Sequence, residues 1–377
     1  MPAVQDTEIL VEASDVSKTL VRTKQLPDLT DNDLLVRIDR FGLSANNITY
    51  SMLGRSYQYF DFFPTEDAKY GKPPVWASAT IVDSRHHQFK AGDRIYGYFP
   101  LAKYTILPVS TRGLTPAWFY VHRPQLPEDR KVYNQYFVCE KDPLYLPNKE
   151  REMMLFRPLY WTSYFLDDYM NEFQYFGAKR IIVSSASSKT AFCYAFLAKK
   201  RGGTEIIGVT SKSNVEYCKS LGFYDSIVTY DQVDTLKSNV STVYVDVSGN
   251  ADLGRQIHAT VGSALKKSLS VGMSHAQESQ GEFPEGVEVF FAPPWMKRRQ
   301  EELRGRLLGM MVASWKDAMA NVHKWIKITE VVGPEEVEKT WQRLAKGGLS
   351  PDVGLIGYMW KDGEKGGPEV WSRKSKL

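Results

Sequence analysis

The 377-residue chain is long enough for two domains, each with a core of its own. Its 43% hydrophobic and 24% charged content is that of an ordinary globular protein, and the +4 formal charge, 48 basic against 44 acidic residues, is spread without a single-sign block, which argues against nucleic-acid or membrane binding. The N-terminus lacks the regions of a signal peptide and no apolar run approaches the roughly 20 residues that span a bilayer, so a cytoplasmic location is expected.

Residues 1 to 110 read as all-β. Leu34-Leu35-Val36-Arg37-Ile38 and Thr80-Ile81-Val82 are strands, and Arg94-Ile95-Tyr96-Gly97-Tyr98 is a third after the turn Lys90-Ala91-Gly92-Asp93. The adjacent His86 and His87 are expected on opposite faces of a strand, at the surface. Residues 111 to 149, rich in proline, charge and aromatics and without period, read as a long irregular insertion or flap. Aromatic residues reach 13% of the chain, with 21 tyrosines and nine tryptophans, and concentrate outside residues 180 to 230. That distribution points to an aromatic-lined pocket in the other part.

Leu155 to Phe173 has apolar residues at helical spacing. Arg180-Ile181-Ile182-Val183 then begins a series of β-branched runs, continued by Ile206-Ile207-Gly208-Val209, Ile227, Val243-Tyr244-Val245-Asp246, Ser268 to Gly272 and Val287 to Phe291, with helical segments between them. Such alternation predicts a doubly wound α/β sheet, whose ligands bind at the carboxyl ends of the strands. Residues 296 to 328 read as helical, with Lys297-Arg298-Arg299 as a solvated start. Pro334 opens a helix that Gly347-Gly348 stops, and Val353 onward is a last strand. Cys139, Cys193 and Cys218 are too few and too scattered for a disulfide framework or a zinc cluster.

Taken together, these pieces resemble the medium-chain dehydrogenase/reductase superfamily, in its zinc-free quinone oxidoreductase and enoyl reductase branches. The resemblance is carried by Leu26-Pro27-Asp28-Leu29, Phe41-Gly42-Leu43-Ser44-Ala45-Asn46-Asn47, Phe89 to Gly97, Pro158-Leu159-Tyr160-Trp161-Thr162 and Tyr217 to Gly222, and it excludes the 111 to 149 insertion. It implies a doubly wound parallel (Rossmann) sheet plus a discontinuous GroES-like β domain. The expected divisions are a catalytic domain at 1–157, a cofactor domain at 158–321 and a return to the catalytic domain at 322–377. The chain departs from the zinc-dependent relatives, because it has no cysteine before Cys139 and Pro74-Val75-Trp76 stands where they carry Gly-His-Glu.

The resemblance further implies an NADPH site. The family's three small phosphate-loop residues fall at Ser185, Ser188 and Ala191, and Ser187, Lys189 and Thr190 add hydroxyls and a cation at a helix N-terminus, which favours anions without glycines. Thr210, Ser211 and Lys212 stand where an acidic residue would repel a 2′-phosphate, and two hydroxyls with an ammonium fit one instead. Thr162, Tyr230, Asp246, Val247, Ser248, Gly272, Met273 and Phe291 complete the expected cofactor contacts. Asn46 and Asn47 lie in the substrate-side loop, and Tyr57, with Tyr50 second, is the candidate proton donor. No metal is expected. The partner is a small apolar or aromatic substrate, with homodimerisation left open. Two other readings stay open: a cofactor-independent lyase or hydrolase on the same scaffold, and a non-catalytic protein that binds NADPH or a partner.

Overall fold

The computed structural model describes residues 4–271 and 284–368 apart from Ser238. The chain forms two compact units: one runs to Leu155 and resumes at Lys327, and the other is Phe156–Ile326.

The first unit opens with an antiparallel hairpin, β1 (Gln5–Glu12) and β2 (Asp15–Gln25). The sequence reading passed over it because β2 buries little and carries no clear apolar face. Next come β3 (Asp33–Leu43), α1 (Ala45–Met52), β4 (Tyr70–Gly71), β5 (Pro74–Ser84), β6 (Arg94–Pro100) and β7 (Tyr104–Pro108). The helix α1 corrects the all-β expectation. Ser44 and Asn47 form a capping box around its first turn, the local signal that was missed. The supposed irregular insertion also contains regular structure, since β8 (Trp118–Tyr120) pairs antiparallel with β9 (Gln135–Val138), and β9 with β6. His86 and His87 do not oppose each other across a strand. They lie just past the end of β5 with rings stacked at 4.5 Å, and His86 is buried against Phe89.

The long helix α2 (Glu150–Glu172) begins earlier than its apolar spacing suggested and holds Pro158 in its interior. Its first residue is fixed by Arg94, whose Nε and Nη2 donate to Glu150 at 2.5 and 2.7 Å while Nη1 donates to Asp39 at 2.6 Å.

The second unit alternates β10 (Arg180–Val183), α3 (Lys189–Arg201), β11 (Glu205–Thr210), α4 (Val215–Leu221), β12 (Ser226–Thr229), β13 (Thr242–Asp246), α5 (Ala251–Val261), β14 (Leu265–Val271) and β15 (Val287–Phe290). All five strand pairings are parallel, in the order β12-β11-β10-β13-β14-β15. The helical stretch that follows is two helices, α6 (Ala292–Leu303) and α7 (Arg306–Asn321), parted at Arg304, whose φ is 48°. Arg299 is not solvated as expected: its guanidinium is held by Asp168, with Nε 2.8 Å from the carboxylate, and lies beside Trp295.

Returning to the first unit, β16 (Lys327–Val332), α8 (Pro334–Ala345) and β17 (Val353–Tyr358) complete an eight-stranded mixed sheet, β16-β17-β3-β5-β6-β9-β8 with β7 on β3. Its core joins Val36, Ile38, Phe41, Ala77, Ile81 and Trp341. The architecture is α/β, a doubly wound parallel sheet and a separate mixed β sheet.

Candidate functional site

In the parallel sheet, the chain leaves β10 through α3 toward β11 on one side, while β13 and β14 extend the sheet on the other. The carboxyl ends of β10 and β13 therefore flank a topological switch point, where sheets of this kind bind ligands.

Ser184 directly follows β10 with no exposed surface, and its Oγ donates to Asp246 Oδ1 at 2.6 Å. The same Oγ accepts from the amides of Val247 at 2.9 Å and Ser248 at 3.1 Å. Asp246 Oδ1 further accepts from the Ser248 amide at 2.9 Å and its hydroxyl at 2.6 Å, so the carboxylate caps the turn into α5. Its other oxygen, Oδ2, is buried, with the Tyr244 hydroxyl as its neighbour.

Ser185 adopts φ 50°, a conformation that glycine reaches without strain and that costs an L-residue about 1–2 kcal/mol. The turn is held down around it. The Ala186 amide donates to Val209 O at 3.0 Å, and Tyr224 Oη donates to Ala186 O at 2.7 Å. Gly208 on β11 permits this approach, because a Cβ there would stand 2.8 Å from that of Ala186. Ser187 Oγ accepts from Asn214 Nδ2 at 3.0 Å. Ser188 is the N-cap of α3, accepting from the Ala191 amide, and Lys189 and Thr190 form the helix's first turn with no acidic residue among them. A helix N-terminus favours an anion through its free amides and its dipole, and a lysine in the first turn adds positive charge.

The remaining expected cofactor residues fall in varied surroundings. Thr210 is buried, with its hydroxyl turned to Ser187, whereas Ser211 shares a hydrogen bond with Ser213. Lys212 is exposed and pairs with Asp231 at 2.8 Å. Tyr230, part-exposed, is hydrogen-bonded to Ser185. Thr162 lies within α2 and donates to Pro158 O at 3.2 Å, and Phe291 is the N-cap of α6, whose first turn carries Pro293 and Pro294. Those prolines open a helix rather than end a strand. Gly272 and Met273 lie outside the described residues.

Separately, the first unit gathers six aromatic side chains, Tyr50 of α1 among them. The Tyr50 ring centroid is 4.8 Å from that of Tyr59, 5.5 Å from Tyr98 and 6.0 Å from Tyr133, and Trp76 Nε1 donates to the Tyr50 hydroxyl at 3.4 Å. Phe62 and Trp76 pack on Tyr98 at 5.2 and 5.1 Å. Burial, reinforced by Tyr59, drives the Tyr50 phenol well above its ordinary pKa, and burial does the same to Tyr98 and Tyr133. These phenols are neutral near pH 7 and can donate a proton but cannot act as bases.

Of the substrate-side residues expected from sequence, Asn46 is hydrogen-bonded to the Tyr50 hydroxyl. Asn47 is buried and spends its amide on structure, accepting from the Ser44 amide at 2.8 Å and donating to Pro74 O at 3.1 Å. Tyr57 lies beside the Arg130 guanidinium, 5.9 Å from its ring centre, and Tyr50 rather than Tyr57 sits among the clustered rings. Sequence reasoning missed Trp76, Tyr98 and Tyr133. The first two were accessible, since Trp76 and Tyr98 face each other in the β5–β6 register. Tyr133 carried no signal beyond the density of aromatics in its segment.

Among the described residues, no group of three or more His, Cys, Asp or Glu side chains is placed to hold a metal ion, and no helix is long and apolar enough to cross a membrane. All three cysteines are buried and none forms a disulfide.

A family model described as a protein of unknown function (DUF2855) matches residues 41–350. No curated protein matches the chain. Solved structures share its fold. CurA from Vibrio vulnificus in complex with NADPH aligns with TM-score 0.56 at 13% identity, over 93% of this chain and 98% of that one. A putative NADPH:quinone reductase from Mesorhizobium loti gives 0.57 at 12% identity, over 95% and 99%. The quinone oxidoreductase from Coxiella burnetii gives 0.54 at 14% identity, over 94% and 99%. The fold is thus one shared with structures described as a quinone oxidoreductase, a putative NADPH:quinone reductase and an enoyl reductase.

Proposed function

The chain belongs to the DUF2855 family, and we propose that it acts as a zinc-independent, NADPH-dependent reductase of an activated alkene, quinone or carbonyl compound. The observation that carries this reading is the turn Ser184 to Lys189 at the switch point, where a capped helix N-terminus carries a cation and no acid. Structures of the same fold described as a complex with NADPH and as a putative NADPH:quinone reductase add support.

The residues fit the cofactor in three respects. The α3 N-terminus with Ser188, Lys189 and Thr190 would hold the pyrophosphate, its amides and cation meeting the anion. Ser211 and Lys212 would take the 2′-phosphate, Lys212 exchanging Asp231 for the ligand. The Asp246 carboxylate, which has acceptor capacity beyond its bonds to the turn, would accept a hydroxyl or amide proton. Bound there, NADPH supplies a hydride. The chain's own contribution to the substrate is a neutral phenol: Tyr50, its hydroxyl oriented by Trp76 and Asn46, donates a proton to the carbon or oxygen on which charge develops.

The test is a thermal-shift titration with NADPH alongside a turnover assay on a panel of enones, quinones and aldehydes. A ligand that binds only the folded state raises the melting temperature once its concentration exceeds Kd. A rise with NADPH, together with its oxidation by one substrate class, is expected. A flat response to millimolar NADPH would remove the reductase reading.

A further inference from the structure

Tyr133 stands apart from the other clustered rings in where it comes from. Tyr50, Tyr59, Phe62, Trp76 and Tyr98 belong to α1, the stretch after it, β5 and β6. Tyr133 belongs to the 3-10 turn Glu128–Asn134, within the loop joining β8 to β9. That loop lies in the segment outside the resemblance to medium-chain reductases. Yet Tyr133 touches all five other rings, at 5.3 Å from Tyr98, 5.8 Å from Tyr59, 6.0 Å from Tyr50 and Trp76, and 6.2 Å from Phe62. Three of these contacts are edge-on, the arrangement preferred between quadrupolar rings. Its hydroxyl lies close enough to those of Tyr50 and Tyr59 to interact with both.

Two arginines fasten this loop to the wall of the same cluster. Arg123 Nε donates to Phe62 O at 2.9 Å and its guanidinium lies 4.7 Å from the Phe63 ring centre, while Arg130 Nε donates to Tyr57 O at 3.3 Å. Inside the cluster the Tyr98 hydroxyl is fully buried and makes no hydrogen bond, although a buried hydroxyl ordinarily has a partner. A phenol ring edge-on to aromatic walls, its oxygen beside two tyrosine hydroxyls, is what a bound oxygen-bearing ring would present to this site.

We propose that Tyr133 is a built-in stand-in for the substrate: its side chain fills the place of a single aromatic or quinonoid ring bearing an oxygen, and the 128–134 turn is displaced when such a ring binds. Tyr133 thereby sets both the size and the chemistry of what the site accepts. The proposal rests on the reductase reading for the fate of the ring and not for its binding. Since only the displaced form accepts a ligand, the apparent affinity falls by the fraction of time the turn is out.

4-Hydroxybenzaldehyde, which carries a ring, a phenol and a carbonyl, serves as the probe, titrated calorimetrically into the full chain without cofactor. Arg130→Ala releases the turn without opening a cavity among the rings, and Tyr133→Ala empties the place itself. Both are expected to bind the probe about tenfold or more tightly than the parent protein. Saturating the parent protein should also speed amide hydrogen exchange across 124–134. Tightening in Tyr133→Ala alone would reduce the effect to a cavity and overturn the proposal, as would absence of binding in all three proteins. If Arg130→Ala fails to fold, the exchange measurement decides: unchanged or slowed exchange overturns the idea. NADPH titration of the same proteins by nicotinamide fluorescence keeps the two readings apart, because its failure removes the reductase and leaves ring binding standing.

Discussion

Lys212 and Asp231 form an exposed pair at 2.8 Å, so a cofactor phosphate at this site would compete with a carboxylate already present. A charge-assisted contact to phosphate contributes about 1.5–3 kcal/mol, so Lys212→Ala should lower NADPH affinity by roughly tenfold or more and leave NADH nearly unchanged. Asp231→Asn removes the competitor. Exposed pairs are weak, so a gain for NADPH of roughly two- to fivefold is expected. Fluorescence titration with both cofactors checks this, and equal losses for NADPH and NADH in Lys212→Ala would show that the lysine does not read the phosphate. Ser188 needs more care, because it is also the N-cap of α3. Replacement by glycine costs a cap only a few tenths of a kcal/mol, while a bulky side chain gives up about 1 kcal/mol. Ser188→Tyr should therefore lower the melting temperature modestly and abolish NADPH binding, whereas Ser188→Gly should hold both.

At the scale of elements, the parallel sheet was legible because its strands are buried on both faces and read as unbroken β-branched runs, as in Ile181-Ile182-Val183. The hairpin β1–β2 was not, since β2 pairs through its backbone while its side chains stay polar and half-exposed. The site shows the same divide. Ser185 and Ser188 follow from the resemblance to the family's phosphate loop and Lys189 from the helix start beside them, both local patterns. The clasp of Ser184 on Asp246, and Tyr133 among the rings, join residues far apart in the chain that no spacing reveals. Gly208 illustrates how a strand can shape a loop. A Cβ there would meet Ala186 Cβ at 2.8 Å and side-chain carbons of Ile227 and Tyr224 at 2.9 Å, tighter than packing tolerates. Gly208→Ala should destabilise the chain by about 1–3 kcal/mol, as overpacking does, and weaken NADPH binding by lifting the 184–188 turn. Urea melts and cofactor titration test the pair of effects. Lower stability with unchanged NADPH affinity would show that this turn does not hold the phosphate.

For the whole molecule, buried carboxyl groups set the dependence of stability on pH. Burial pushes Asp6 in the first unit up to about 6, although the amides of Lys103 and Tyr104 donate to it at 3.1 and 2.9 Å. Burial likewise pushes Asp167 in the second unit up to about 6 against the pull of Arg201, and its Oδ1 makes no hydrogen bond. A folded-state pKa raised above the unfolded one means that the folded chain binds more protons, so stability falls as pH climbs from about 4 to about 6 and stays at the lower level above that. Glu150 and Glu8 act in the opposite sense. Burial works against their ionisation, but Arg94 outweighs it for Glu150, as Lys72 and Arg22 do for Glu8, holding both carboxyls below their ordinary value. Their contribution is present above the ordinary glutamate range and lost as pH drops through their lowered values. The two trends oppose each other only at acid pH; above the ordinary glutamate range the losses at Asp6 and Asp167 stand alone, so stability falls from there to about pH 6. Asp6→Asn keeps an acceptor for the two amides and removes the ionisation cost. It should match the parent protein near pH 4 and exceed it by on the order of 1–3 kcal/mol at pH 7. Asp167→Asn should gain less, because it also gives up the ion pair with Arg201 at 2.7 Å. Urea melts from pH 4 to 8 measure the difference directly, and curves for Asp6→Asn and the parent that stay parallel throughout would mean that Asp6 is ionised in the folded chain across the whole range.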